Sequence, residues 1–174
     1  YMKKDKVLFV IPAYNEEENI EKVLKEIQKD VDFADILVIN DCSKDNTSKI
    51  VKKNGVKCID GIFNMRYAWA VQTGIKYAYQ NDYDYVIVLH GDDQGDIHDI
   101  LPVLKNKEYK KYDCVLGSRF MKGSKIKGYS LFRQFGNRVF NIIFSIGLFK
   151  KITDLGAGLN MYSTDMLKSN FYHK

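Results

Sequence analysis

Residues 84–96, DYVIVLHGDDQGD, run Val, Ile and Leu directly into a histidine and a cluster of carboxylates. An ordinary turn needs only Gly and one Asp or Asn. Hard cations such as Mg²⁺ and Mn²⁺ take oxygen ligands and share them among one or two carboxylates, waters and substrate phosphates. Asp92 is the first candidate ligand, and Gln94 adds an amide oxygen. A diphosphate entering beside Asp41, Asp92, Asp93 and Asp96 brings negative charge onto negative charge, and charge balance then calls for a divalent cation, Mg or Mn. His90 is open at this level. Its imidazole can ligate the metal or act as a neutral hydrogen-bonding group. His98 reads as a surface helix residue.

Other polar clusters follow other apolar runs: PAYNEE (12–17), NDCSKD (40–45) and GSR (117–119). Asp41 could accept from a base N–H or a ribose hydroxyl. Alternatively Asp41, Ser43 and Asp45 only shape a turn and cap the next helix. Arg119 stands where a guanidinium can bind phosphate in bidentate fashion, and Arg66 and Arg133 are further cations. Asp154 lies in a Gly-rich bend, TDLGAG (153–158), where it caps a turn or faces a reacting centre.

The elements that must position these groups alternate. Strands are expected over 6–12, 35–41, 56–60, 84–90 and 112–118. A helix opened by Asn15 and Glu18 as a capping box follows the first, with Ile20, Val23, Leu24 and Ile27 at the helical i, i+3, i+4, i+7 spacing. A second helix starts at Ser43 or Asp45 and buries Ile50 and Val51. A third, 67–79, turns Val71, Gly74, Ile75 and Ala78 to one face, and a fourth runs 97–104. Near-continuous apolar strands alternating with amphipathic helices give an α/β fold, a mostly parallel sheet with helices on both faces. In such sheets ligands sit beyond the carboxyl ends of the strands, where four of these clusters fall.

The 174 residues are 45% hydrophobic, enough for one well-buried domain. A net charge of +5 with the basic residues spread out offers no nucleic-acid stripe. Cys42, Cys58 and Cys114 have no metal spacing, and a reducing, cytoplasmic compartment is expected. No signal peptide is visible. VFNIIFSIGLF (139–149) is too short to span a bilayer, which takes ~20 residues. It reads as a buried helix, although Lys150 and Lys151 at its end also suit an interfacial one. No G-x-G-x-x-G follows the first strand and no P-loop is present, so a nucleotide must be held in another way.

Taken together, these segments resemble glycosyltransferase family 2, with its GT-A (Rossmann-like) fold. VIPAYNEEENI is similar to that family's opening strand and loop, and VINDCSKDNT to its V-x-D-D/N-x-S-x-D-x-T segment. NMRYAWAVQTGIKYA stands for N-x-G-x-x-x-A-x-x-x-G-x-x-x-A, HGDDQ for D-x-D, GSR for its usual companion, and TDLGAGLNMY for the T-D-x-x-x-G stretch. Within the family the chain looks nearest to polyprenyl-phosphate sugar transferases of the dolichyl-phosphate mannose type. The resemblance implies a donor of the UDP- or GDP-sugar type, a divalent metal, and a polyprenyl-phosphate or glycan hydroxyl acceptor in cell-envelope glycan synthesis. It puts Pro12, Ala13, Tyr14, Glu16 and Asp41 around the nucleoside and Asp92 at the metal and diphosphate with Gln94. Arg119 and Arg133 would face phosphates.

Three departures stand out. His90 replaces the first aspartate of D-x-D, the bulky Met65, Arg66 and Tyr67 replace small residues, and DLGAG replaces D-P/T-x-S-G. The chain also stops soon after this last motif, so one catalytic domain over 1–174, truncated at its C-terminus, is expected. Sugar transfer with inversion is the implied reaction, with Asp154 the base if the acceptor is a hydroxyl. A non-catalytic nucleotide-sugar-binding module or regulatory subunit is the alternative that His90 and the short C-terminus raise.

Overall fold

Seven successive buried residues form β1 (Val7–Ala13). A strand buried on both faces must sit inside the sheet, and β1 does. The computed structural model describes residues 5–92, 95–118, 131–154 and 158–167. Strands β2 (Ala34–Asn40), β3 (Lys57–Asp60), β4 (Tyr85–Leu89), β5 (Cys114–Leu116) and β6 (Leu159–Ser163) complete a six-stranded sheet in the order β3-β2-β1-β4-β6-β5. The first four strands are parallel, and β6 runs antiparallel between β4 and β5.

Alternation sends β1's side chains to two cores. Val7, Phe9, Ile11 and Ala13 pack with Ile20, Val23, Leu24 and Ile27 of α1 (Ile20–Asp30) and Val51 of α2 (Thr47–Lys53). Leu8 and Val10 pack with Ala70 and Ala78 of α3 (Arg66–Gln80) on the other face. Gly74 lets α3 lie close against the sheet, since a Cβ there would overlap the Val10 side chain. The expected parallel core with helices on both faces is therefore present.

Three expectations are corrected. Asn15 does not open α1. It takes a positive φ of 55° in the loop, the helix begins at Ile20, and the Asn15 side chain accepts the Lys44 N–H instead. The single helix expected over 97–104 is a 3₁₀ turn (Ile97–Asp99), with Asp96 accepting from the His98 N–H, followed by the short α4 (Leu101–Lys105) that carries Pro102 in its first turn. The apolar segment expected to be a buried helix lies in α5 (Leu131–Leu148), but its described apolar side chains are mostly exposed. β6 was not anticipated. A final short helix, α6 (Thr164–Leu167), follows it.

The chain order explains where a site forms. β1, β2 and β3 step outward to one side, and the chain then returns to place β4 on the other side of β1. The carboxyl ends of β1 and β4 thus flank the topological switch point, where open α/β sheets bind ligands.

Candidate active site

The loops after β1 and β2 are laced together. The Asn15 N–H donates to Ser43 Oγ (2.9 Å), and Asn15 Oδ1 accepts the Lys44 N–H (2.8 Å). The Glu16 N–H donates to Thr47 Oγ1 (2.8 Å), and the Glu17 N–H to Asp45 Oδ2 (3.0 Å). Glu17 Oε2 returns the contact by accepting both the backbone and the side-chain N–H of Asn46. Asp45 Oδ1 also accepts the Thr47 N–H, capping the first turn of α2. These polar residues therefore fix two strand-end loops against each other. Asn15, Glu17 and Thr47 do this unannounced by any local pattern, because each partner is 28 to 31 residues away.

Asp41 is buried, and its two carboxylate oxygens accept the Met65 and Arg66 N–H groups at 2.7 Å each. It caps a helix, as a turn aspartate can, but that helix is α3 rather than α2. A carboxylate at a helix N-terminus also meets the positive end of the dipole. Arg66 pays for this junction with a φ of 74°, a left-handed conformation that favours glycine. Pro12 and Ala13 are buried within β1, where the Pro12 carbonyl accepts the Gly91 N–H (3.3 Å) and the Ala13 carbonyl accepts the Asp41 N–H (2.9 Å). Tyr14 is exposed at the strand end.

At the end of β4, His90 Nδ1 stands 3.9 Å from Asp92 Oδ2. The His90 ring packs on Tyr67 of α3, with centroids 4.6 Å apart and planes tilted by 39°. Gly158 lies against its other parts, since a Cβ on Gly158 would come within 3.2 Å of His90 Cδ2. The β4–β6 register, Leu89 opposite Leu159, places Gly158 there. Asp154, four residues earlier, is buried within the α5–β6 connection. Burial, with Asp92 and Asp45 nearby, raises the Glu16 carboxyl above its ordinary range despite a hydrogen bond from Asn19. Burial, Tyr162 and Asp92 push the Tyr67 phenol up to about 12, so it stays a proton-bearing donor at neutral pH. Glu16, Tyr67, His90 and Asp92 thus share one neighbourhood, drawn from β1, α3 and β4.

Among the described residues no three His, Cys, Asp or Glu side chains gather to hold a metal. His90 and Asp92 are the pair to test. Two ligands on one octahedral ion at about 2.1 Å stand ~3.0 Å apart if adjacent and ~4.2 Å if opposite. The observed 3.9 Å matches neither, so the pair reaches adjacent octahedral positions only if the two side chains close by about 1 Å; Mg²⁺ or Mn²⁺ needs few protein ligands beyond such a pair. Gln94, Asp93 and Arg119 lie outside the described residues, as does the side chain of Arg133 on α5.

The profile of the family described as glycosyl transferase family 2 matches residues 8–171. An uncharacterized protein of Methanocaldococcus jannaschii is 35% identical over 167 residues, covering 95% of this chain and 68% of that protein. The UDP-N-acetylglucosamine–dolichyl-phosphate N-acetylglucosaminyltransferase of Methanococcus voltae is 31% identical over 183 residues, covering 94% of this chain and 72% of its own. Among solved structures, glucosyl-3-phosphoglycerate synthase from Mycobacterium tuberculosis, in complex with Mn²⁺, UDP and glucosyl-3-phosphoglycerate, superposes with a TM-score of 0.71 at 18% identity. That match covers 95% of this chain and 59% of the synthase, and it establishes the shared fold.

Proposed function

The chain belongs to glycosyl transferase family 2, and we propose that it transfers a sugar, with inversion, from a UDP- or GDP-type donor to a polyprenyl phosphate. The observation that carries this reading is the meeting of His90, Asp92, Tyr67 and Gly158 at the β1/β4 switch point, beside two loops held rigid by hydrogen bonds. The relative from Methanococcus voltae, named for a dolichyl-phosphate acceptor, supports the acceptor class.

In this reading the nucleoside lies over the ends of β1 and β2, bounded by Tyr14, Glu16 and the Asp41-capped start of α3. The diphosphate points toward Asp92. His90 and Asp92, with Gln94, are the residues that would hold a divalent cation, which when bound stabilises charge on the departing diphosphate. Tyr67 buttresses His90 and can donate a hydrogen bond into the same space. Arg119 and Arg133 are assigned to the phosphates of donor and acceptor. A phosphate acceptor is already ionised and needs no base, so Asp154 orients the acceptor there. With a glycan hydroxyl as acceptor, Asp154 is the candidate base. A lipid acceptor places the protein at the cytoplasmic face of a membrane. Among the described residues no helix is long and apolar enough to cross one.

The test is release of nucleoside diphosphate from UDP- and GDP-sugars with and without a short-chain polyprenyl phosphate. Acceptor-dependent release supports the proposal. Nucleotide binding without release under any donor and acceptor pair would leave a binding module instead.

A further inference from the structure

Helix α5 is turned inside out. Its polar residues Asn137, Asn141 and Ser145, four apart, take the covered side. Asn141 is buried and donates through Nδ2 to the Thr153 carbonyl (2.8 Å). Ser145 Oγ donates to the Asn141 carbonyl (2.6 Å) and accepts the Ile152 N–H (2.9 Å). Phe135, Phe140, Ile142, Ile143 and Ile146 are each more than half exposed. A surface helix of a globular protein ordinarily hides its apolar stripe.

The end of the helix repeats the pattern. The Phe149 N–H donates to the Ile146 carbonyl (3.3 Å) and the Lys150 N–H to the Ser145 carbonyl (3.2 Å), the paired bonds of a helix-terminating turn. That turn needs a left-handed residue, and glycine is the usual choice. Here Phe149 takes it, at φ 51°, and stays 95% exposed.

Charge separates the candidate occupants of this face. Residues 114–153 hold eight Lys and Arg, among them Arg138, Lys150 and Lys151, and no Asp or Glu. With a whole-chain charge of +5, the rest of the chain is net −3. A protein partner covering an apolar face selects against lysine at its core and gains nothing from the exposed Arg138, Lys150 and Lys151 beside it. An anionic bilayer rewards both features, apolar side chains at the acyl boundary and cations at the headgroup phosphates.

We infer that α5 is a membrane-docking helix that lies in the surface of a bilayer containing anionic lipid. Its outward Phe and Ile side chains enter the headgroup boundary, and Arg138, Lys150 and Lys151 meet the phosphates. This deepens the polyprenyl-phosphate reading and rests on it for its purpose. The same helix leads through Ile152 and Thr153 to Asp154, so docking brings that turn to the surface where a lipid phosphate lies.

The experiment is co-sedimentation of the whole chain with phosphatidylcholine vesicles, with and without phosphatidylglycerol. Binding to the anionic vesicles is expected, weaker on phosphatidylcholine alone and weakened by salt. Lys150→Glu/Lys151→Glu should lower the partition coefficient by on the order of 30-fold or more. Ile146→Ser/Phe149→Ser should lower it by ~10-fold or more, with an unchanged melting temperature because both side chains are exposed. Nucleoside diphosphate binding, followed by thermal shift on the same variants, reads the donor site separately and should not change. No vesicle binding by the parent overturns the inference even where nucleotide binds. Vesicle binding that ignores both double variants puts the docking surface elsewhere. Self-association of the parent that Ile146→Ser/Phe149→Ser abolishes, with no vesicle binding, makes the face a protein interface instead.

Discussion

Replacing Asp41 with alanine tests whether this carboxylate is a structural cap, a ligand contact or both. Its two oxygens hold the Met65 and Arg66 N–H groups at 2.7 Å, and the side chain is buried. A hydrogen bond to a charged group contributes about 1.5–3 kcal/mol net. Met65 and Arg66 are exposed, so water can partly replace the lost acceptors. The expected cost of Asp41→Ala is therefore about 2–4 kcal/mol of stability, within reach of the ~0.5–2 kcal/mol seen for lost helix caps plus a dipole contribution. At ~2–4 °C per kcal/mol for a domain of this size, the melting temperature should fall by about 10 °C. Asp41→Asn keeps one acceptor oxygen and should cost about half. Urea denaturation of parent and both variants, with calorimetric titration of nucleoside diphosphate, separates the roles. Loosening the start of α3 also frees Tyr67 from His90, so affinity should drop by ~1–3 kcal/mol in the alanine variant. Unchanged stability would refute the capping account. Lost stability with unchanged affinity would remove Asp41 from the donor site.

Further outcomes follow from the same geometry. Asp92→Asn keeps size and removes charge, and it should abolish Mn²⁺-enhanced nucleotide binding while circular dichroism stays that of the parent. His90→Asp should shift the Mg²⁺/Mn²⁺ preference of nucleotide binding toward Mg²⁺, because a carboxylate is the harder ligand, whereas equal weakening with both ions would make His90 only a brace for Asp92. Arg66→Gly should raise stability by about 0.5–1 kcal/mol, the left-handed penalty of ~1–2 kcal/mol less the ~0.5–1 kcal/mol that glycine's unfolded-state freedom costs, read as a higher urea midpoint. A lower midpoint would show that the guanidinium supports the fold.

Much of this architecture was legible in the sequence, for physical reasons that also mark its limits. β1, β4 and the last four residues of β2 are buried on both faces, so their apolar runs named these strands to within a residue or two. Ile20, Val23, Leu24 and Ile27 named the inner face of α1. The family resemblance is borne out by the profile match and by relatives that act on polyprenyl phosphates. Long-range hydrogen bonding was not legible. Asn15 looked like a cap because caps are local, yet its amide oxygen serves Lys44 across the gap between two loops. Asp41 caps a helix that begins 25 residues later. β6 is five residues long, and its pairing depends on β4, so no local period announces it. The apolar residues of α5 implied burial, but Asn141 and Ser145 take the inner side because the backbone of 152–153 needs their hydrogen bonds.

In the proposed function a nucleoside diphosphate sits at the β1/β4 switch point with its phosphates at Asp92. The most direct measurement is a thermal-shift panel of nucleosides, nucleoside monophosphates and nucleoside diphosphates, each with and without Mn²⁺, on the parent and on Asp92→Asn. Binding of the diphosphate at ~100 times its dissociation constant contributes about 2.7 kcal/mol, which is several degrees. That shift is expected for one diphosphate with Mn²⁺, with a smaller one for its monophosphate and loss of the Mn²⁺ effect in Asp92→Asn. A panel in which no diphosphate shifts the parent, or in which Asp92→Asn responds to Mn²⁺ as the parent does, would contradict it.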